Sequence, residues 1–160
     1  MNYRIFLLLG TNEGDPLQNL ACAMENIAQL AGPVLAKSAV YRTAPWGKQD
    51  QADFHNQAIE ITSSETPERI LEIILKIEMD MGRVRQEKWG PRIIDIDLLF
   101  FGDCVINERH LTVPHPGIPV RRFVLAPLAD IAPDFVHPVL KKSVRQLLEE
   151  SPDTLAATRL

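Results

Sequence analysis

Cysteine is scarce in this chain of 160 residues, which contains only Cys22 and Cys104. The two residues do not have the spacing of metal ligands, so a cysteine-based metal site is not indicated. Both lie in segments that we expect to belong to the core, and we interpret them as buried free thiols in a reducing compartment. A disulfide between them is the alternative.

Long apolar runs are missing as well. No stretch approaches the roughly 20 apolar residues that a membrane span requires. The strand-like run at residues 3–9 ends at Gly10 and is too short for a secretory signal. We therefore expect a soluble, cytoplasmic protein.

The chain also has no surplus of basic residues. It carries 17 basic and 21 acidic residues, a formal net charge of −4, so no nucleic-acid partner is expected and any phosphate site must be local. Apolar residues make up 46% of the chain, enough for a core, and no linker or repeat divides it. We expect a single domain, residues 1–160, that acts as a monomer.

The predicted elements follow the order strand, helix, strand, strand, helix, strand. Asp15-Pro16 and Thr66-Pro67 start the two helices, because each pair places a capping side chain before a proline in the first turn. The predicted strands cover residues 3–9, 34–41, 54–62 and 93–101. This order is that of the ferredoxin-like α+β fold, in which two helices pack on an antiparallel sheet.

Three further features follow the fourth strand. Gly102-Asp103 predicts a hairpin turn into a strand at residues 104–106. Prolines recur between residues 114 and 138, which argues against a long regular element there. Ser143 can cap a short C-terminal helix.

Two acids on the fourth strand are the first chemical signal. Asp95 and Asp97 are two positions apart, so both side chains point to one face, while Ile94, Ile96 and Leu98 point to the core. At about 6.6 Å two carboxylates repel by roughly 2.5 kcal/mol at an effective dielectric constant near 20. Oxygen ligands alone fit a hard ion such as Mg²⁺. A solvated polar face is the alternative.

The loop before this strand favours the metal interpretation. Residues 83–92 hold four cations against the single acid Glu87, with Trp89 in the middle. A site for a metal–polyphosphate complex needs side chains of both charges, because carboxylates bind the metal and guanidinium groups bind phosphate oxygens. Residues 10–14 lack the Gly-Lys-Ser/Thr ending of a Walker loop, so arginines and the metal must bind the phosphates here.

Two other groups are weaker signals when taken alone. Phe54 and Asn56 lie on one face of the third strand, and an aromatic ring beside a carboxamide suits a flat heterocycle with amide-like edges. His115 stands between two prolines and can donate to a phosphate, with Arg121 and Phe123 a few residues later. For each group a purely structural role is the alternative.

Together these groups resemble the 6-hydroxymethyl-7,8-dihydropterin pyrophosphokinase family of folate biosynthesis. The resemblance runs from Gly10-Thr11-Asn12 to about Pro138, and its most specific part spans residues 83–97. It implies transfer of pyrophosphate from MgATP to the hydroxymethyl group of the reduced pterin, with release of AMP. A ferredoxin-like ligand-binding module without catalytic activity is the alternative function.

The resemblance also implies residue roles. In the family the two strand acids bind paired Mg²⁺ ions, a role that falls on Asp95 and Asp97, and the catalytic arginines match Arg83 and Arg92. The residues that match the ATP site are Glu78, Arg85, Lys88, Trp89, Arg92, Thr112, His115 and Arg121. The residues that match the pterin site are Thr43, Pro45, Trp46, Phe54, Asn56, Trp89 and Phe123.

The chain departs from the family pattern near the adenosine pocket. The loop between Arg85 and Trp89 is a residue shorter than is usual in the family. Pro116 stands where an aromatic residue is common, and Arg122 where a small residue is common. These differences concern details of the nucleotide pocket and leave the implied chemistry unchanged.

Overall fold

A computed structural model of the chain describes residues 2–44, 52–82 and 93–160. Within these ranges eight strands and four α-helices form. The strands are β1 (Tyr3–Thr11), β2 (Val34–Lys37), β3 (Tyr41–Thr43), β4 (Phe54–Ser63), β5 (Asp95–Phe101), β6 (Ile106–Asn107), β7 (Thr112–Val113) and β8 (Ala157–Arg159). The helices are α1 (Pro16–Leu30), α2 (Pro67–Asp80), α3 (Arg122–Ile131) and α4 (Val144–Glu150), and Ile118–Val120 forms a 3₁₀ turn.

The main sheet has six strands and is antiparallel throughout. Its order is β5-β1-β4-β3-β8, and β2 also pairs with β4. Strand β1 therefore lies between β4 and β5, as the ferredoxin-like order requires. The predicted α+β fold is confirmed.

The predicted helix starts are correct because they depend on local hydrogen bonds. The Asp15 carboxylate accepts the Gln18 N–H at 3.2 Å, and the Thr66 hydroxyl accepts the Arg69 N–H at 3.1 Å. Ser143 does the same for the Gln146 N–H at 3.2 Å and caps α4. Each of these side chains satisfies an N–H group that has no partner within its helix.

The sheet separates two hydrophobic clusters. One face packs against α1 and α2, with side chains such as Leu7, Ile59 and Ile77 buried between them. The other face packs against α3 and α4 around Phe6 and Phe100. Side chains alternate along each strand, so even positions of β1 and β4 face α3 and odd positions face α1 and α2.

A bulge in β5 interrupts this alternation. Leu7 pairs with Leu98 but Phe6 pairs with Phe100, so Leu99 is the additional residue. Leu99 and Phe100 both join the cluster beside α3. Before the bulge, Ile96 and Leu98 face α1 and α2 as predicted.

Several sequence-based predictions need correction. The predicted strand at 34–41 is two strands, β2 and β3. The turn at Gly102-Asp103 does form, but the chain after it does not pair with β5, because β6 begins at Ile106 and pairs with β7. The proline-rich region contains the ten-residue helix α3, with Pro127 inside it. Strand β8 was not anticipated.

The cysteine prediction was partly wrong. Both thiols are free, but Cys22 is exposed and Cys104 is only partly buried. None of the described helices combines the length and apolar content that a membrane span needs.

His137 makes the stability of the fold depend on pH. Its side chain is 5% exposed, its Nδ1 accepts the N–H groups of Val139 and Leu140 at 3.2 and 3.1 Å, and its ring packs edge-on against Phe100. Burial lowers the pKa of His137 below 6.5. The folded chain therefore binds fewer protons than the unfolded chain, so this contribution is complete above about pH 6.5 and is lost as the pH falls below it.

We expect His137→Asn to show a smaller loss of melting temperature than the wild type between pH 7.5 and pH 5.5. Asn retains an acceptor near the Nδ1 position but does not titrate. The measurement is thermal unfolding followed by circular dichroism at both pH values. The matched control is His110→Asn, which changes an exposed histidine and should leave the wild-type pH dependence intact. If His137→Asn lost as much melting temperature between the two pH values as the wild type, the pH dependence would not come from His137.

Candidate active site

A pocket opens on the α3 side of the sheet, where β1, β3, β4 and β5 meet the segment before α3. Its lining combines apolar, amide, acidic and cationic groups. The residues that line it are Leu8, Gly10, Thr43, Ala44, Phe54, Asn56, Asp95, Asp97, Arg121 and Phe123. Seven of these were predicted as site residues, and the fold brings those seven together from four separate segments.

Gly10 lies at the centre of the pocket floor. It pairs with Asn56 on one side and with Asp95 on the other. A Cβ atom at position 10 would lie 2.5 Å from the Asn56 Oδ1, closer than side-chain atoms approach each other. The absence of a side chain at Gly10 therefore lets the amide and the acid pair lie side by side.

The two acids lie on one face of β5, as the strand period predicts. Asp95 and Asp97 are half-buried and both line the pocket. The described residues contain no group of three or more His, Cys, Asp or Glu side chains arranged to hold a metal. A pair of carboxylates without softer ligands suits a hard cation that keeps much of its water, such as Mg²⁺.

Glu78 lies outside the pocket, on the opposite face of the sheet. It belongs to α2, its side chain is 5% exposed, and its Oε2 accepts the Ile96 N–H at 2.8 Å. Ile96 is the residue between the two acids. The buried carboxylate therefore holds the backbone from which Asp95 and Asp97 project, and the predicted ATP contact of Glu78 stays a prediction.

His115 borders the pocket beside the acids. Its Nε2 lies 3.9 Å from the Asp97 Oδ1, too far for a hydrogen bond. Its Nδ1 accepts the Gly117 N–H at 3.0 Å, which assigns the proton of the neutral ring to Nε2. Burial and then the charge of Arg121 lower the pKa of His115, against the opposing effect of Asp95. At neutral pH the ring is therefore an uncharged donor directed toward the acids.

Arg121 and Phe123 form the wall opposite the sheet. The Arg121 guanidinium carbon lies 5.8 Å from the centre of the Phe123 ring, within the range of a cation–π contact. A Cβ atom at Gly117 would lie 3.1 Å from the Arg121 Cδ and Nε, so this glycine lets the arginine lie close to the backbone. The wall thus presents a cation and an aromatic face to the same space.

The aromatic and amide side of the pocket comes from β3 and β4. Thr43 pairs with Phe54, and both line the pocket together with Asn56. Thr43 and Asn56 are almost completely buried, whereas Phe54 is half-buried. This side offers a ring face and amide donors and acceptors next to the acids.

The remaining predicted residues fall elsewhere. Thr112 lies on β7 with an exposed side chain and does not line the pocket. The predicted residues that lie outside the described ranges are Pro45, Trp46, Arg83, Arg85, Lys88, Trp89 and Arg92. Sequence reasoning missed Leu8 and Gly10 as lining residues, whereas Ala44 lies within the backbone segment 43–46 that the resemblance places at the pterin. For Gly10 the available signal was a glycine at the end of a buried strand, where backbone often approaches another group closely.

Known proteins are similar to this chain in sequence and in fold. A sequence model of the 7,8-dihydro-6-hydroxymethylpterin-pyrophosphokinase family matches residues 6–133. A 2-amino-4-hydroxy-6-hydroxymethyldihydropteridine pyrophosphokinase from Methylorubrum extorquens is 48% identical over 134 residues, which cover 83% of this chain and 85% of the relative. The enzyme of the same name from Aquifex aeolicus is 35% identical over 147 residues, 92% of this chain and 91% of the relative.

Solved structures show the same fold. A crystal structure of wild-type Plasmodium falciparum HPPK-DHPS with pteroate superposes with a TM-score of 0.77 at 18% identity. The match covers 94% of this chain and 42% of that longer one. At this identity the likeness concerns the fold alone. The family match and the two relatives, by contrast, extend over most of the sequence, and the chain therefore belongs to the 7,8-dihydro-6-hydroxymethylpterin-pyrophosphokinase family.

Proposed function

We propose that this chain transfers the pyrophosphoryl group of ATP to the hydroxymethyl group of 6-hydroxymethyl-7,8-dihydropterin and releases AMP, a step of folate biosynthesis. The observation that supports this most directly is the composition of one pocket. The acid pair Asp95 and Asp97 lies beside the amide of Asn56 and the rings of Phe54 and Phe123. Groups suited to a polyphosphate and groups suited to a heterocycle therefore lie next to each other in one pocket, as transfer between the two substrates requires.

Asp95 and Asp97 would hold Mg²⁺, two ions by resemblance to the family. Their oxygens reach the pocket, and an all-oxygen pair suits this cation. When bound, the metal neutralises charge on the phosphate oxygens. Glu78 keeps the intervening backbone in place through Ile96, so the two carboxylates remain on one face.

His115 and Arg121 would bind phosphate oxygens. The Nε2–H of His115 is directed toward the acid pair and donates without adding charge. Arg121 supplies a fixed positive charge from the opposite wall. Catalytic roles for Arg83 and Arg92 and ATP contacts from Arg85, Lys88, Trp89 and Thr112 belong to the same proposal, on the resemblance of the sequence alone.

The pterin would lie between Phe54 and Phe123 with its edge against Asn56 and Thr43. Stacking between two rings supports a flat heterocycle, and the buried amide can both donate and accept. Pro45, Trp46 and Trp89 complete this site by resemblance. The pterin hydroxyl oxygen would then form a bond to the β-phosphorus and lose its proton to solvent water, while the bond from that phosphorus to the oxygen bridging the α-phosphate breaks and AMP leaves.

We also propose that residues 1–160 act as one domain and as a monomer in the cytoplasm, without a nucleic-acid partner. The net charge of −4 supports the last point, since polyanion binding favours basic surfaces.

The test of the proposed function is an assay of AMP release from ATP and Mg²⁺ with and without 6-hydroxymethyl-7,8-dihydropterin. We expect AMP to form only when the pterin is present, in equal amount to the pterin diphosphate. Formation of ADP instead would indicate a kinase of another type. A folded protein that binds the pterin but turns over no nucleotide would support the ligand-binding module and overturn the proposal.

A further inference from the structure

The last ten residues, 151–160, lie beside a strand that contributes to the pocket. After α4, residues 151–160, here called the C-terminal strap, contact α3 and add β8 to the edge of the sheet. Ala157 pairs with Thr43, a residue that lines the pocket, and the Leu160 N–H donates to the Val40 carbonyl at 2.9 Å. The strap lies beyond residue 133, the last residue that the family model matches.

One carboxylate in the strap links it to the first turn of α3. The Asp153 Oδ2 accepts the Arg122 N–H at 2.8 Å, and its Oδ1 accepts the Leu155 N–H at 2.9 Å. The same side chain thus orders the strap and holds a helix that begins 31 positions earlier in the chain.

Helix α3 lacks a cap of the usual local kind. Its N-cap residue is Arg121, whose side chain makes no capping hydrogen bond. An arginine cannot accept a hydrogen bond, and its charge is unfavourable beside the positive end of a helix. Asp153 supplies from a distance both the acceptor and the negative charge that this end requires.

The residues on either side of Arg122 are those that form the pocket wall. Arg121 and Phe123 both line the pocket, and Arg122 N–H is the atom that Asp153 holds. We propose that Asp153 is a positioning residue for the pyrophosphoryl transfer, because it fixes the backbone that carries the phosphate-binding arginine and the pterin-stacking ring. This inference rests on the proposed function.

The other end of α3 is also attached to the strap. The Asp130 carboxylate accepts the Tyr41 hydroxyl at 2.8 Å and lies 3.7 Å from the Arg159 Nε. Burial, followed by the hydrogen bond to Asp130, raises the pKa of Tyr41 to about 12, so this hydroxyl remains a donor at physiological pH. The strap is therefore attached to both ends of α3, and Asp153 makes the attachment at the first turn.

We expect Asp153→Ala to raise KM for the pterin about fivefold and to change kcat less than twofold. A displaced wall weakens binding of the substrate and of the transition state to a similar degree, which affects KM rather than kcat. Asp153→Asn retains one acceptor and should recover part of the effect. It also tests the proposal if the Ala variant fails to fold.

The matched control is Ser143→Ala. Ser143 caps α4 through the Gln146 N–H, and α4 carries none of the residues that line the pocket. Loss of either cap should lower the melting temperature by about 2–4 °C. Only the Asp153 variants should raise KM.

The outcomes separate the two proposals. Equal KM values for Asp153→Ala, Ser143→Ala and the wild type would overturn the positioning role and leave the proposed function intact. An equal rise of KM in both variants would also overturn it, because destabilisation alone would then explain the effect. A folded wild type that releases no AMP would overturn the proposed function and this inference with it.

Discussion

Asp97→Ala should lower kcat for pterin-dependent AMP release by about 10³-fold or more. Asp97 supplies one of the two carboxylates on the pocket face of β5. Charge compensation at transferring phosphate groups lowers the activation free energy by several kcal/mol. Since 1.36 kcal/mol corresponds to tenfold in rate, a loss of this size is expected. The measurement is the initial rate of AMP formation at saturating ATP and pterin over a range of Mg²⁺ concentrations.

The same substitution should leave the fold intact. The Asp97 side chain is 31% exposed and faces the like charge of Asp95. Removing one carboxylate relieves a repulsion of at most about 2.5 kcal/mol at about 6.6 Å, reduced by solvent screening. The side chain also lies outside both hydrophobic clusters, so we expect Asp97→Ala to unfold cooperatively in EDTA and to keep the wild-type circular dichroism spectrum.

Asp103→Ala is the control for removal of a carboxylate near this strand. Asp103 is exposed in the turn at the other end of β5, so its loss should leave AMP release unchanged. If Asp97→Ala retained more than a tenth of the wild-type kcat, the acid pair would not be the main metal site.

Features set by neighbouring residues could be predicted from the sequence. Asp15, Thr66 and Ser143 cap helices through N–H groups three residues away, so the short segment contains the whole interaction. The common face of Asp95 and Asp97 follows in the same way from the two-residue period of a strand.

Features that depend on distant contacts could not be predicted. Pro127 has no N–H to donate to the preceding turn of α3, yet the helix forms because Val124, Leu125 and Leu128 are buried against the sheet. The cap that Asp153 supplies to this helix joins residues 31 positions apart. No local pattern marks such a contact.

Only part of the pocket could be predicted, because contacts between distant residues bring some of its lining together. Phe54 and Asn56 could be placed on one face from strand alternation, and Arg121 and Phe123 by resemblance to the family. The place of Gly10 could not be predicted, because it depends on the registers of β1 with β4 and with β5. Glu78 matched an ATP contact, but its position under Ile96 becomes clear only when α2 is packed on the sheet.

Asn56→Ala should raise the dissociation constant of the pterin by about 10- to 100-fold. The side chain is 4% exposed and lines the pocket, so its loss would leave polar groups on the ligand edge without partners, at a cost of about 1–3 kcal/mol. Binding can be measured by isothermal titration calorimetry with the pterin in the presence of Mg²⁺ and a non-hydrolysable ATP analogue.

Gly10→Ala should weaken pterin binding about tenfold through the same amide. An added Cβ atom would lie 2.5 Å from the Asn56 Oδ1, which must then move, but 3.9 Å from the Asp95 carbonyl oxygen, an ordinary contact. The amide is therefore displaced while the acid strand stays in place. The affinity for the Mg²⁺ complex of the ATP analogue, measured in the same instrument, should change less than twofold.

The double variant decides whether Gly10 acts through Asn56. Once Asn56 is Ala, the side-chain oxygen that the new Cβ atom would meet is gone, so Gly10→Ala should add almost nothing to the loss caused by Asn56→Ala. The effects of the two single changes are then strongly non-additive. Additive losses would contradict this coupling, and a matching loss of nucleotide affinity would show that the added methyl group displaces β5 instead. In the expected case, the absence of a side chain at Gly10 allows the Asn56 amide that would bind the pterin to lie next to the acids that would bind the metal.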